Sequence, residues 1–333
     1  AYTITTTDPL APLVAMAAPR AALVANGATV LEAGALAPAT SLPQPRTLAI
    51  NPASAVNLGT LTGLSGSVGN LYTGHITLPY YLTAHDPDDA TFSYLAQFWR
   101  ANTTLATLLG VTLPEDVTQT VSGGPTSPDG TYNVTYRYPF AAATGAVTVP
   151  LQVTLPQPNH NPPLPGGEKC EDLFTDGYPV AIYIHGITSD RVSVAALSHA
   201  LASQCIATVA IDLPVHGVPS SSPFAATLNM DRGTVATALY SGVTALRERH
   251  FEVVSGPTGL PQAMNFDTPN AAIDRSGAWF INLGNLQNTR DNMKQAVQDL
   301  LNLNASLGTI SDLDLDGNDQ PDLDLDRVYV VGV

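Results

Sequence analysis

Val180-Ala-Ile-Tyr-Ile184 is apolar at every position and rich in β-branched residues, the pattern of a parallel strand covered by helices on both faces. The run stops at His185-Gly186. Beyond it, Thr188, Ser189 and Asp190 offer helix N-caps, and Val194, Leu197 and Leu201 form one helical stripe. Ile206 to Ile211 then reads as a second buried strand, which completes a βαβ unit with an expected right-handed crossover. A third strand of the same kind closes the chain, Arg327-Val-Tyr-Val-Val-Gly-Val333.

Elsewhere the apolar positions alternate. Tyr132, Val134, Tyr136 and Tyr138 share one face, as do Val147, Val149, Leu151, Val153 and Leu155, and a turn near Thr144-Gly145 makes the two segments an antiparallel hairpin. Gly74 to Leu82 reads as a further strand, and Gln97-Phe-Trp-Arg100 as a bulky packing cluster. Met293, Val297, Leu300 and Leu301 mark a crossover helix ahead of the terminal strand, and Val235, Leu239, Gly242, Val243 and Leu246 line a shorter one.

An antiparallel hairpin followed by parallel units is an α/β pattern. Residues 1–117, rich in Pro, Gly, Ala and Thr, read as an N-terminal accessory region. Residues 118–333 read as the first part of an α/β domain, with a lid-like insertion at about 218–285 over the strand ends.

Composition narrows the partners. The formal net charge is -15, and Lys169 and Lys294 are the only lysines, which argues against nucleic acid and anionic membrane surfaces as electrostatic partners. Charged residues make up only 12%, so Thr, Ser, Asn, Gln, Gly and Ala must cover much of the surface, an extracellular or salt-tolerant flavour. Cys170 and Cys205 flank the βαβ unit. They form a disulfide if the protein is exported and remain two buried thiols otherwise. The Ala-rich stretch from Leu10 to Val30 is interrupted by Pro12, Pro19 and Arg20, short of the ~20 apolar residues a membrane span needs. No signal peptide is visible, which fits a cytoplasmic protein and a mature exported one equally.

One loop has metal-ligand character. With Asp312 as position 1 of a calcium loop, Asp314 falls at 3, Asp316 at 5, Gly317 at the required glycine and Asn318 at 7. Leu323 stands at the twelfth position, where a bidentate Glu belongs, so Asp322 or Asp324 would have to substitute. A solvated acidic turn is the alternative.

These segments resemble the bacterial virulence-factor-type extracellular lipases, exported or surface-tethered α/β-hydrolases with a dedicated N-terminal region. The resemblance runs from about residue 70 to the end. It is carried by Thr73-Gly-His-Ile-Thr-Leu-Pro-Tyr-Tyr-Leu82, Phe98-Trp-Arg100, Val134-Thr-Tyr-Arg-Tyr-Pro139, Val147-Thr-Val-Pro150, Tyr178 to Thr188, Asp212-Leu-Pro-Val-His-Gly217 and the Asp-rich loop before Val328-Tyr-Val-Val-Gly332. It implies an α/β-hydrolase fold, the N-terminal half of whose sheet lies in this chain, and hydrolysis of an ester or lipid substrate through a Ser-His-Asp acyl-enzyme, in a protein secreted from or displayed on a bacterium. In G-x-S-x-G the Ser sits on a strained strand-to-helix turn. With Gly332 as the first glycine, the nucleophile is expected immediately after Val333, and the triad in the C-terminal half of the domain, joined covalently or after cleavage. This chain is then expected to supply the oxyanion loop: His185 and Gly186 turn the backbone, and the Ile187 N–H is the donor. His216 reads as a hydrogen-bonded loop histidine. No cofactor is required, and Asp312, Asp314, Asp316 and Asn318 are the candidate ligands of a calcium ion. The competing readings are a non-catalytic calcium-binding surface module on the same scaffold and another hydrolase, a peptidase or dehalogenase.

Overall fold

The computed structural model describes residues 45–83, 85, 89, 91–102, 133–134, 141–163, 166–240, 243 and 246–333. Nine strands are seen among them: β1 Leu48–Ile50, β2 Val56–Asn57, β3 Gly69–Tyr80, β4 Gly145–Pro156, β5 Tyr178–Ile184, β6 Ala207–Ile211, β7 Val253–Ser255, β8 Pro261–Ala263 and β9 Leu323–Gly332. The helices are α1 Leu58–Thr62, α2 Cys170–Leu173, α3 Ala195–Ala202, α4 Ala225–Leu228, α5 Thr234–Leu239, α6 Leu286–Ala305 and α7 Leu307–Ser311. The described residues divide into two compact units, one drawn from 45–78, 147–281 and 303–333, the other from those between 79 and 146 and from 282–302.

The first unit is built on a mixed, open α/β sheet in the order β1-β3-β4-β6-β5-β9, with β2 also on β3. β4 runs antiparallel to β6, while β6, β5 and β9 are mutually parallel. The two uninterrupted apolar runs become β5 and β6 at the centre, where Val180, Ala207 and Val209 lose all contact with solvent. The expected helix between them is α3, preceded by a 3-10 turn at Arg191–Val194 whose N-cap, Asp190, accepts the Val192 N–H at 2.9 Å. Residues 48–80, within the stretch read as accessory, supply β1, β2 and β3 to this same sheet. β4 matches one arm of the expected hairpin, but its sheet neighbours are β3 and β6. Of the other arm, Tyr132, Tyr136 and Tyr138 lie outside the described residues, as does the loop 122–130.

β9 starts four residues before Arg327 and pairs with β5 through a register shift that leaves Leu325, Asp326 and Arg327 between the paired Asp324 and Val328. A Cβ on Gly177 would stand 2.5 Å from the Leu323 carbonyl carbon, and the residue has a φ of 98°, so only glycine fits there. β9 is an outer strand with bare apolar side chains: Leu325, Tyr329 and Val330 are all more than half exposed.

The insertion region holds α4, α5 and the β7-β8 hairpin. The expected helix through Val235 and Leu239 is α5, which ends at Leu239; Gly242 lies outside the described residues, and Leu246 instead forms an isolated bridge with Thr148.

Cys170 and Cys205 form a disulfide, tying α2 to the tight turn between α3 and β6, where Cys205 adopts a φ of 58°. The bond spans 35 positions of sequence, which in the chain-entropy account contributes about 2–4 kcal/mol. Replacing both cysteines by serine should lower the unfolding free energy by that amount in denaturant titration; an unchanged midpoint would show that the bond constrains nothing.

In the second unit α6 is inside out. Asn288, Asp291, Asn292, Gln295, Gln298, Asp299 and Asn302 are buried, whereas Leu286, Met293 and Val297 are exposed. The apolar set read from sequence thus marks the helix but not its buried side. The buried amides and carboxylate take the place of a neighbouring strand by binding main chain. Asp291 Oδ2 accepts the Trp99 N–H at 2.9 Å, Gln295 accepts the Tyr81 N–H at 3.0 Å and donates to the Pro79 carbonyl, and Asn288 donates to the Gln97 carbonyl. Trp99 is fully buried against Tyr81, so the Phe-Trp-Arg cluster does pack.

Candidate functional site

In open α/β sheets, ligands bind beyond the carboxyl ends of the parallel strands. There β5 and β9 end side by side. Ile184 pairs with Gly332, and the Val333 N–H donates to the Ile184 carbonyl at 3.2 Å. Past β5 the chain turns over Gly186–Ser189, closed by Ser189 N–H to the Gly186 carbonyl at 3.0 Å, with Thr188 at a φ of 71° in the third position. A Cβ on Gly186 would lie 3.4 Å from the Val333 carbonyl oxygen, so the end of β9 lies directly against this turn. The Ile187 N–H makes no hydrogen bond among the described residues, and its side chain is half exposed.

His185 is buried and holds the turn from beneath. Its Nδ1 lies 2.9 Å from the Gly186 carbonyl, which can only accept, and its Nε2 accepts the Leu213 N–H at 3.0 Å. The ring is therefore neutral with the proton on Nδ1. Burial lowers its pKa, partly opposed by Asp212. It spans the ends of β5 and β6. His216 packs on it at 4.8 Å between ring centroids and on Phe280 at 5.0 Å. Its Nδ1 lies 2.9 Å from the Pro214 carbonyl; its Nε2 is buried without a hydrogen bond, against Gly277, whose φ of 65° and lack of a side chain make the room. Burial pushes the His216 pKa down to about 3, so it is a neutral packing group.

Behind the turn lies a buried ion cluster that sequence reasoning missed. Arg191, 2% exposed, donates through Nη1 to Asp212 Oδ2 and to Glu248 Oε2, and through Nη2 to Glu248 Oε1 and the Leu228 carbonyl. Asp212 also accepts the Arg191 N–H at 2.8 Å, and Glu248 accepts the Val218 and Met230 amides at 2.9 and 2.7 Å. Burial alone would raise the Asp212 pKa, but the charge and hydrogen bonds of Arg191 outweigh it and hold the group below the usual carboxylate range. Ser276 ties two loops together by accepting the Gly217 N–H and donating to the Ser189 carbonyl at 2.6 Å. No local motif announces Arg191, Glu248 or Ser276, because their partners lie tens of residues away.

Asp190 carries a pH signature. Burial, reinforced by Asp212, pushes its pKa up to about 7. An acid with a raised folded-state pKa favours the fold below its unfolded value, near 3.9, and loses that contribution as pH rises through about 7. Asp190→Asn keeps the capping acceptor and removes the titration. The variant should be more stable than the parent by at least about 1 kcal/mol at pH 8, with the gap closing toward pH 4. Chemical denaturation at the two pH values checks this, and a gap that widened toward acid would refute it.

The Asp-rich loop is closed by its own main chain. Asp314 Oδ1 and Asp316 Oδ1 accept the Asn318 N–H, Asp316 Oδ2 accepts from Tyr178 Oη and Asn318 Nδ2, and Asp322 accepts the Leu315 N–H. Asp312 caps the end of α7. Among the described residues no group of three His, Cys, Asp or Glu side chains converges.

No protein-family model matches this chain, and no curated protein and no solved structure matches it.

Proposed function

We propose that the chain is the first part of an exported bacterial α/β-hydrolase that cleaves carboxylic esters of lipids. The observation that carries this reading is the apposition of β9's end and the Gly186–Ser189 turn, whose Ile187 N–H makes no hydrogen bond among the described residues. With a serine there, its Oγ attacks the ester carbonyl while a histidine takes its proton. The oxyanion that forms lies within reach of the Ile187 N–H, and collapse expels the alcohol with that proton and leaves an acyl-enzyme for water to hydrolyse. The chemistry needs no cofactor. The antiparallel-then-parallel order of β4, β6, β5 and β9 is compatible with such a sheet. The disulfide favours an oxidising, extracellular compartment.

The test is hydrolysis of p-nitrophenyl acyl esters of graded chain length by the protein carrying the residues that follow Val333, together with labelling by a serine-directed fluorophosphonate. Turnover abolished by the phosphonate, with the label on the residue after Val333, supports the reading. A residue other than serine at that position would defeat it and leave a non-catalytic module on the same scaffold.

A further inference from the structure

A cavity of about 400 Å³ opens in the insertion, and none of its lining residues belongs to the Gly186–Ser189 turn. Leu246 in its wall bridges Thr148 beside β4, and β4 lies three strands from β9 in the sheet order, about 14 Å at the usual strand spacing. Its apolar wall is formed by Met230, Ala236, Tyr240 and Leu246, which pack as one cluster. The Tyr240 hydroxyl is already used, donating to the Thr73 carbonyl and accepting the Asn51 N–H, so it offers no free polar group.

Two guanidinium groups line the same cavity and differ in what they do. Arg232 is committed: it pairs with Glu252 at 3.2 Å and stacks over the Phe266 ring at 4.1 Å. Arg247 is exposed and has neither a hydrogen bond nor an ion pair among the described residues. In a chain with a net charge of -15, an unpaired cation beside an apolar wall is an unusual provision. Of the two carboxylates in the lining, Glu252 is neutralised by Arg232, and Asp231 turns Oδ2 to the Glu248 N–H at 3.3 Å.

We propose that this cavity binds a medium-chain alkanoate, with the carboxylate on Arg247 and the alkyl tail on Met230, Ala236 and Leu246. The volume suits a small amphiphile, and the division into one charged anchor and an apolar wall is the ordinary make-up of such sites. A guanidinium recognises a carboxylate by a bidentate fork that a hydroxyl or an ammonium head cannot engage. The proposal is independent of the ester-hydrolase reading, because none of these residues belongs to the Gly186–Ser189 turn.

Asp231 gives the site a pH dependence of known sign. Burial, with Glu248 reinforcing and His250 opposing, pushes its pKa up to about 6; Glu252 also faces it, and Arg232 and Arg247 share the cavity. Protonation of Asp231 removes the one uncompensated negative charge while an alkanoate remains ionised above about pH 5, so binding tightens as the solution is acidified through that range.

Titration calorimetry with octanoate on the 333-residue chain tests the proposal. One saturable site is expected, weakened about tenfold or more by Arg247→Gln, as loss of a charge-assisted pair requires. Because Arg247 is exposed, the variant's melting temperature should not move. Ala236→Trp, which fills the cavity, should abolish binding, and octyltrimethylammonium should not bind. The affinity of the parent should rise between pH 7.5 and 5.5, and that rise should disappear in Asp231→Asn. Absence of saturation at millimolar octanoate, equal binding of the cationic amphiphile, or an unchanged affinity in Arg247→Gln would each overturn the proposal.

Discussion

Arg191→Met should lower the unfolding free energy by about 3–5 kcal/mol, the cost of leaving buried charges without their partner. The side chain joins Asp212, Glu248 and the Leu228 carbonyl at a point fully removed from solvent. Methionine fills much of the same volume, so the loss measured is electrostatic rather than a cavity. Asp212 and Glu248 would then face each other in a medium of low polarity with their negative charges unopposed. The triple variant Arg191→Met, Asp212→Asn, Glu248→Gln should recover part of the loss. Recovery stays incomplete because Glu248 receives the Val218 and Met230 amides on separate oxygens, and glutamine retains only one acceptor. Urea titration of the three proteins checks the order; a single variant within about 1 kcal/mol of the parent would mean the cluster holds nothing together.

Ile187→Pro should reduce the ester-cleaving kcat of the protein extended past Val333 by about 100- to 1,000-fold, equivalent to ~2.7–4 kcal/mol, with little change in melting temperature. Proline removes the one amide hydrogen assigned to the oxyanion and little else. Ile187 is the second residue of the Gly186–Ser189 turn, a position where proline is favoured, and its N–H has no partner to lose. Ile187→Ala keeps the amide and should leave kcat within about threefold. A proline variant as active as the alanine variant would remove Ile187 from the chemistry.

The central strands were legible because nothing competes with their pattern. An uninterrupted apolar run such as Val180–Ile184 has few other places to go, and β5, β6 and α3 fall within one or two residues of the reading. The turn after β5 was legible because the apolar run breaks at His185-Gly186. α6 shows the opposite case. Its apolar stripe fixed the helical period, but its buried side was chosen by main-chain donors and acceptors near Pro79 and Trp99 that had no strand to pair with. Hydrophobicity carries no record of that demand. Arg191 escaped notice because an arginine beside a capping aspartate reads as solvent-exposed, and only the fold brings Glu248 to it across 57 positions. The acidic loop has the spacing of a cation cradle, and Asp314 and Asp322 in it accept main-chain amides, contacts that spacing does not reveal.

The outer strand of the sheet has a bearing on how the molecule behaves in the tube. Its charged residues, Asp324, Asp326 and Arg327, all lie in its first half, and Val328 to Gly332 carries none. Gatekeepers placed at one end protect only that end. When the 333-residue chain is handled by itself, two copies meeting through the uncharged half would zip together by main-chain hydrogen bonds, so its turbidity should climb steeply with concentration, and Val330→Lys should flatten that climb without touching the interior.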